Sequence, residues 1–255
     1  MFRYGLPRLL LIVLMCATTM LIVLATVGWS KLDLTLILLF TALTFTAVFI
    51  DLARTGRRVL ADFRRGRLDA ARRGTLLLLR FAWRPASQAT LRLHLAACAL
   101  ADGQYEEGGQ LLQEVERERL GEGLQGIWEN NHAYYLLCTG GDPAEALQEA
   151  DRAAAQQPGN PAFRSTRGIA LLALGHVDDS IAELQAAIDA GLKAQGPAAM
   201  AENYYHLARA WEARGEVAYA RDHYLKSVNI GPDTRYGFKS AERLQKRHEL
   251  WPTGP

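Results

Sequence analysis

Residues 201–234 read AENYYHLARAWEARGEVAYARDHYLKSVNIGPDT. Tyr204, Leu207 and Trp211 recur at intervals of three and four, the spacing of one helix face, and Gly215 then interrupts the pattern. A second apolar run follows, with Tyr224 as its large residue, and Pro232 closes it. Ala208, Ala220 and Ser227 are interleaved among the bulky side chains, so each helix carries small residues where another helix can approach closely. The stretch therefore predicts two helices joined by a glycine turn, packed face to face. Such a pair cannot bury its apolar faces alone and demands neighbours of the same kind.

Those neighbours are legible upstream. Turn glycines recur at Gly66, Gly103, Gly141, Gly175 and Gly215, with intervals of 37, 38, 34 and 40 residues. Residues 161–194 supply Gly168, Leu171, Gly175, Leu184 and Ala187, with Ser180 at a small-residue position. Residues 127–160 supply Ala133, Leu137, Gly141, Ala146, Ala153 and Pro158, but place the bulky Tyr134 where a small side chain is expected. Residues 89–122 keep Leu95, Ala96, Gly103 and Tyr105 and carry Gly108 at another small position. Around Gly66 the match reduces to the turn and Ala71, a partial unit within residues 54–88.

This pattern resembles the tetratricopeptide repeat family, whose unit is a helix-turn-helix of about 34 residues. On that alignment Tyr204, Leu207, Ala208, Trp211, Gly215, Ala220, Tyr224 and Pro232 all take family positions. The resemblance implies an all-α chain in which units 89–122, 127–160, 161–194 and 201–234 stack into an α-solenoid. Residues 235–255 are expected to provide a capping helix, with Phe238, Ala241 and Leu244 on its packed face. The resemblance also implies a concave groove lined by the first helix of each unit. The family's groove positions fall here on Trp128, Asn131, His132, Tyr135, Ser165, Glu202, Tyr205 and Arg209. Aromatic and arginine side chains are the usual anchors of an interface, and asparagine can pair with backbone amides, so a protein or peptide partner is expected. The lysine set of the carboxylate-clamp members is missing.

The N-terminal fifth has a different character. Twenty-two uncharged residues lie between Arg8 and Lys31, and 17 between Asp33 and Asp51. About 20 apolar residues span a bilayer, so the sequence predicts a transmembrane helical hairpin over residues 1–53, with spans near 9–29 and 33–53. A cleaved signal sequence is disfavoured by the length of the first run and the lack of a small-x-small site near Ala25. Residues 1–50 carry a net +2, residues 51–84 a net +7 and residues 85–255 a net −7. Arginines at both ends of the hairpin place both termini on the cytoplasmic side, so a multi-pass protein of a bacterial inner membrane is expected. Residues 54–88 read as a basic linker. Its Arg54, Arg57, Arg58, Arg64 and Arg65 are candidates for anionic lipid headgroups, and this membrane role leaves no call for nucleic acid.

Chemistry beyond binding finds no foothold. No glycine-rich phosphate loop, HExxH or GxSxG occurs, so an enzyme is not expected. Cys16, Cys98 and Cys138 lack CxxC spacing, and no cofactor is implied. His94, His132 and His206 share one position of their units, but a stacking distance of ~10 Å between helices is too long for a shared metal ion. The resulting expectation is a membrane-anchored interaction scaffold or adaptor. The alternative is an assembly or quality-control factor whose hairpin touches its client.

Overall fold

The computed structural model describes residues 17–18 and 34–246. Among them are eleven α-helices and no strand. They are α1 Leu34–Arg64, α2 Leu68–Phe81, α3 Pro85–Ala101, α4 Tyr105–Gln113, α5 Leu124–Thr139, α6 Pro143–Gln156, α7 Pro161–Ala173, α8 Val177–Asp189, α9 Pro197–Ala213, α10 Val217–Ile230 and α11 Arg235–Lys246. Consecutive helices pack as antiparallel pairs, α1 with α2 through α9 with α10, and each pair stacks on the next into a solenoid. The predicted span 9–29, apart from residues 17 and 18, and the tail beyond 246 lie outside the described residues.

The pair turns share one backbone device. At Gly175 (φ +82°) and Gly215 (φ +88°) the chain is left-handed, which glycine adopts without a Cβ penalty. The next amide then closes the helix end: His176 N–H donates to Leu171 O at 2.9 Å, and Glu216 N–H to Trp211 O at 2.9 Å. The turn between α5 and α6 differs from the sequence alignment. Gly140, not Gly141, is left-handed (φ +77°), and Ala133 is fully buried while Tyr134 is not. The first helix of this unit thus runs one residue early. Ala146 and Ala153, both fully buried, keep the aligned register in the second helix, and the Gly140–Gly141 pair absorbs the difference.

The small positions do what the pattern required. A Cβ on Gly168 would lie 2.7 Å from Leu184 Cγ, so glycine sets the α7–α8 approach. Ser180 and Ser227, the departures from alanine, are fully buried, and each hydroxyl donates at 2.7 Å to a carbonyl of the facing helix, Gly168 O and Ala201 O. Serine therefore fits an alanine site because a backbone acceptor lies opposite it.

Residues 54–88, read as a basic linker with a partial repeat, are helical: α1 continues unbroken through Gly56 to Arg64, and α2 returns along it. A glycine costs a helix interior roughly 1 kcal/mol, but Thr55, Val59 and Asp62 are buried, and Val59 shares a core cluster with Ala70 and Leu77 of α2. Packing outweighs the local penalty. In the cap α11, Tyr236, Gly237 and Ser240 face inward, with Leu244 packed beside them, while Phe238 is 63% exposed and Ala241 is exposed. The packed stripe is 236, 240 and 244, offset from the predicted one.

Leu39–Arg64 is long and apolar enough to cross a membrane, by length and composition. Leu39, Leu43, Phe45, Phe49 and Ile50 are exposed along its first half.

Candidate functional site

On the inner side of the solenoid, α5 and α9 face each other across the α7–α8 unit. The Tyr134 hydroxyl donates to Glu202 Oε1 at 2.7 Å. Arg235, at the start of α11, donates to the Tyr105 hydroxyl of α4 and stands 4.8 Å over its ring. Tyr236 packs against Tyr205 (5.3 Å between ring centroids) and His206 (5.4 Å), and Lys239 lies 4.9 Å over the Tyr236 ring. The superhelix thus closes on itself through side chains from α4, α5, α9 and α11. The backbone meets in a similar way nearby, since a Cβ on Gly196 would sit 3.0 Å from the Arg64 carbonyl oxygen at the end of α1.

Burial governs the electrostatics of this hub. It pushes the Glu202 carboxyl upward, opposed by hydrogen bonds from Tyr134 and Tyr236 and by the nearby charges of Lys239 and Arg235. His206 is driven down to about 3 by burial, then by the charges of Arg209 and Lys239, so it is neutral at physiological pH. Burial raises the Cys138 thiol to about 11 and the Tyr105 phenol to about 12. The centre holds one carboxylate surrounded by phenols and cations, a structural polar core.

The groove residues divide accordingly. Trp128 is 8% exposed: its indole N–H donates to Leu112 O at 3.1 Å, its ring stacks on His132, and Arg117 covers it at 4.0 Å. Tyr205 is equally buried, in the cluster with Tyr224 and Tyr236. Both are core side chains: Trp128 packs in a cluster with Leu93 and Leu112 of the preceding pair, and Tyr205 against Tyr224 of α10 and Tyr236 of α11. Glu202 is engaged in the hub, and the Ser165 hydroxyl donates to Asn203 Oδ1 at 2.8 Å. Tyr135 is half-buried, and a Cβ on Gly109 would lie 2.5 Å from its ring. Asn131 and His132 are half-buried, and Arg209 is exposed. The structure therefore does not assemble the eight into one open surface. Asn131, His132 and Tyr135 cluster on α5, and Arg209 stands on α9 beyond the hub.

Tyr134, Arg235, Tyr236 and Lys239 were not among the predicted groove residues. Tyr134 did leave a signal, as the bulky residue at a small position. The remaining three sit on the cap, where the repeat pattern has no register to offer.

The three aligned histidines occupy separate surroundings. His94 Nδ1 lies 2.9 Å from the Thr75 hydroxyl, His132 stacks on Trp128 and His206 packs on Tyr236. Elsewhere, ligand atoms of His132, Glu145 and Glu149 lie within 4.8 Å of one another, with Arg152 paired to Glu149 at 2.6 Å. Arg152 supplies the positive charge there that a bound cation would have to displace. The basic residues Arg54, Arg57, Arg58 and Arg64 are exposed on α1, and Arg65 is exposed in the turn that follows it.

Comparison with known proteins bears on the fold. Residues 140–202 match the tetratricopeptide repeat family model. That interval runs from the α5–α6 turn through α7 and α8 into α9. PlcR of Bacillus thuringiensis, solved with the peptide PapR7 and DNA, is similar over 80% of this chain and 74% of its own, at 14% identity and a TM-score of 0.56. YrrB, described as a tetratricopeptide repeat protein with an unusual peptide-binding site, is similar over 69% of this chain and 84% of its own, at 18% identity and a TM-score of 0.41. No curated protein matches the sequence. The PlcR likeness shows the fold, a helical-repeat solenoid, in agreement with the helix pairs above.

Proposed function

We propose that this chain is a membrane-anchored scaffold whose helical-repeat solenoid binds a protein or peptide partner. The observation that carries the reading is α1. Its first half exposes Leu39, Leu43, Phe45 and Phe49, whereas its second half buries Thr55, Val59 and Asp62 as one member of the first helix pair. A helix that is both apolar stem and structural repeat joins solenoid to bilayer without a flexible link. Holding the solenoid at the membrane raises the effective concentration of partners near it. The hairpin, with both termini cytoplasmic, and the exposed arginines along α1 next to anionic headgroups belong to this same proposal.

The partner side draws on the repeat match and on PlcR, which was solved with a peptide. With Trp128 and Tyr205 in the core, the accessible contact groups are Asn131, His132 and Tyr135 on α5 and Arg209 on α9. Photo-crosslinking residues placed at His132 and Arg209 of the full chain in native membranes test it. A discrete adduct at those sites, missing from the outer position Tyr219, is expected. Equal labelling at all three would remove the groove assignment. A compartment-sensitive reporter after Pro255 tests the topology, and an external signal would reverse the orientation.

A further inference from the structure

The corner between α2 and α3 combines features that the scaffold reading does not use. Trp83 is 77% exposed and Phe81 43% exposed, and both belong to the short connection or the helix end beside it. Because α2 returns antiparallel along α1 from the Gly66 turn, its last residues lie level with the middle of α1. The contact is direct: Leu52 of α1 lines one apolar cleft of about 330 Å³ together with Leu78, Phe81, Ala82 and Leu91. Leu52 is also where the bare apolar stretch of α1 ends, since Ile50 is exposed and Asp51 is buried. The corner therefore stands at the height where α1 would leave a bilayer.

Its charge has one sign. Residues 52–61 and 70–101 contain no Asp or Glu, and they include Arg54, Arg57, Arg58, Arg80 and Arg84. All five are exposed, and the Arg84 guanidinium lies 4.8 Å over the Trp83 ring. Tryptophan and arginine are the residue types that settle in the headgroup layer, and each basic residue near an anionic surface contributes roughly 1 kcal/mol. Two exposed aromatic side chains on a surface whose exposed charges are arginines have the composition of a headgroup-layer contact.

We propose that the α2–α3 corner docks on the anionic bilayer surface beside α1, with Phe81 and Trp83 entering the headgroup region and Arg54, Arg80 and Arg84 facing lipid phosphates. The inference rests on the anchor reading and deepens it. The anchor fixes the height of α1; a contact between the solenoid itself and the surface fixes which face of the solenoid is turned away from the membrane.

The test uses the full chain, with Cys16→Ala, in vesicles of phosphatidylethanolamine and phosphatidylglycerol containing nitroxide lipids at acyl-chain depth, read at position 45, or at headgroup depth, read at positions 86 and 219. An environment-sensitive fluorophore is attached in turn at Phe45→Cys, Ala86→Cys and Tyr219→Cys. The Cys16→Ala chain without an introduced cysteine, which keeps the buried Cys98 and the half-buried Cys138, is labelled in parallel and its signal subtracted. Docking is expected to quench the labels at 45 and 86 and to spare the label at 219. Quenching at 45 with position 86 behaving like 219 would overturn the docking while leaving the anchor intact. An unquenched position 45 would remove the anchor reading and this inference with it. Phe81→Asp with Trp83→Asp should abolish quenching at 86 alone; retained quenching would show that some other segment covers the corner and would overturn the assignment.

Discussion

The Tyr134 hydroxyl and Glu202 Oε1 are 2.7 Å apart although 68 residues separate them in the chain. This bond ties the second full repeat to the fourth, past the repeat between them. A stack in which each unit touched its sequence neighbours alone would leave such residues apart. Here the superhelix is tight enough for its inner side to become a core.

Removing the donor should therefore loosen the whole turn of the superhelix. A hydrogen bond to a charged group contributes about 1.5–3 kcal/mol, and its loss leaves a carboxylate poorly solvated. Tyr134→Phe is expected to lower the unfolding free energy of the full chain by about 1.5–3 kcal/mol, seen as a lower denaturation midpoint, and adding Glu202→Gln should recover part of it. An unchanged midpoint would mean that the pair does not hold the turn closed.

Acid should destabilise the fold before the carboxylates titrate. His94, His206 and His223 all have folded pKa values lowered by burial, His206 to about 3. Between that value and the ordinary 6.5, the unfolded chain binds more protons, so stability rises with pH. This contribution is fully present above 6.5 and is lost as pH falls. Glu202 acts in the opposite sense, since its raised pKa favours folding at low pH and that contribution is lost as pH rises. Three histidines against one carboxyl predict a lower melting temperature at about pH 5 than at about pH 7. His206→Gln should flatten the slope; an unaltered slope would show that His206 is not its source.

Two glycines should respond to alanine with opposite signs. At Gly168 the new Cβ meets Leu184 at 2.7 Å, and Leu184 backbone N lies 3.2 Å away, so the neighbour cannot simply swing clear. Overpacking of this kind costs about 1–3 kcal/mol. At Gly56 nothing lies within 4 Å and the backbone is helical, so Gly56→Ala should stabilise by roughly 0.5–1 kcal/mol. Melting temperatures of the two variants decide this, and a destabilising Gly56→Ala would argue against an unbroken α1.

The groove can be probed without touching the core. Arg209→Glu changes an exposed side chain and should leave the melting temperature within experimental scatter while reducing crosslinking at His132. Trp128→Ala should unfold or strongly destabilise the protein, as truncating a buried tryptophan costs about 3–5 kcal/mol. A Trp128→Ala chain with an unshifted melt would return that residue to the surface.

The sequence by itself determined the repeat. Small residues at helix contacts and glycines at the turns are local requirements, so Gly175, Gly215, Ala220 and Ser227 could be read without coordinates. It also exposed Tyr134 as the residue that did not fit. Tertiary structure alone decided what the inner side would hold. Tyr105 meets Arg235 across 130 residues, and Trp128 turns from groove to core, because superhelical pitch sums many small packing angles that no single unit encodes. The continuity of α1 through Gly56 was decided in the same way: a local propensity of roughly 1 kcal/mol yields to the burial of Thr55, Val59 and Asp62 against the returning helix.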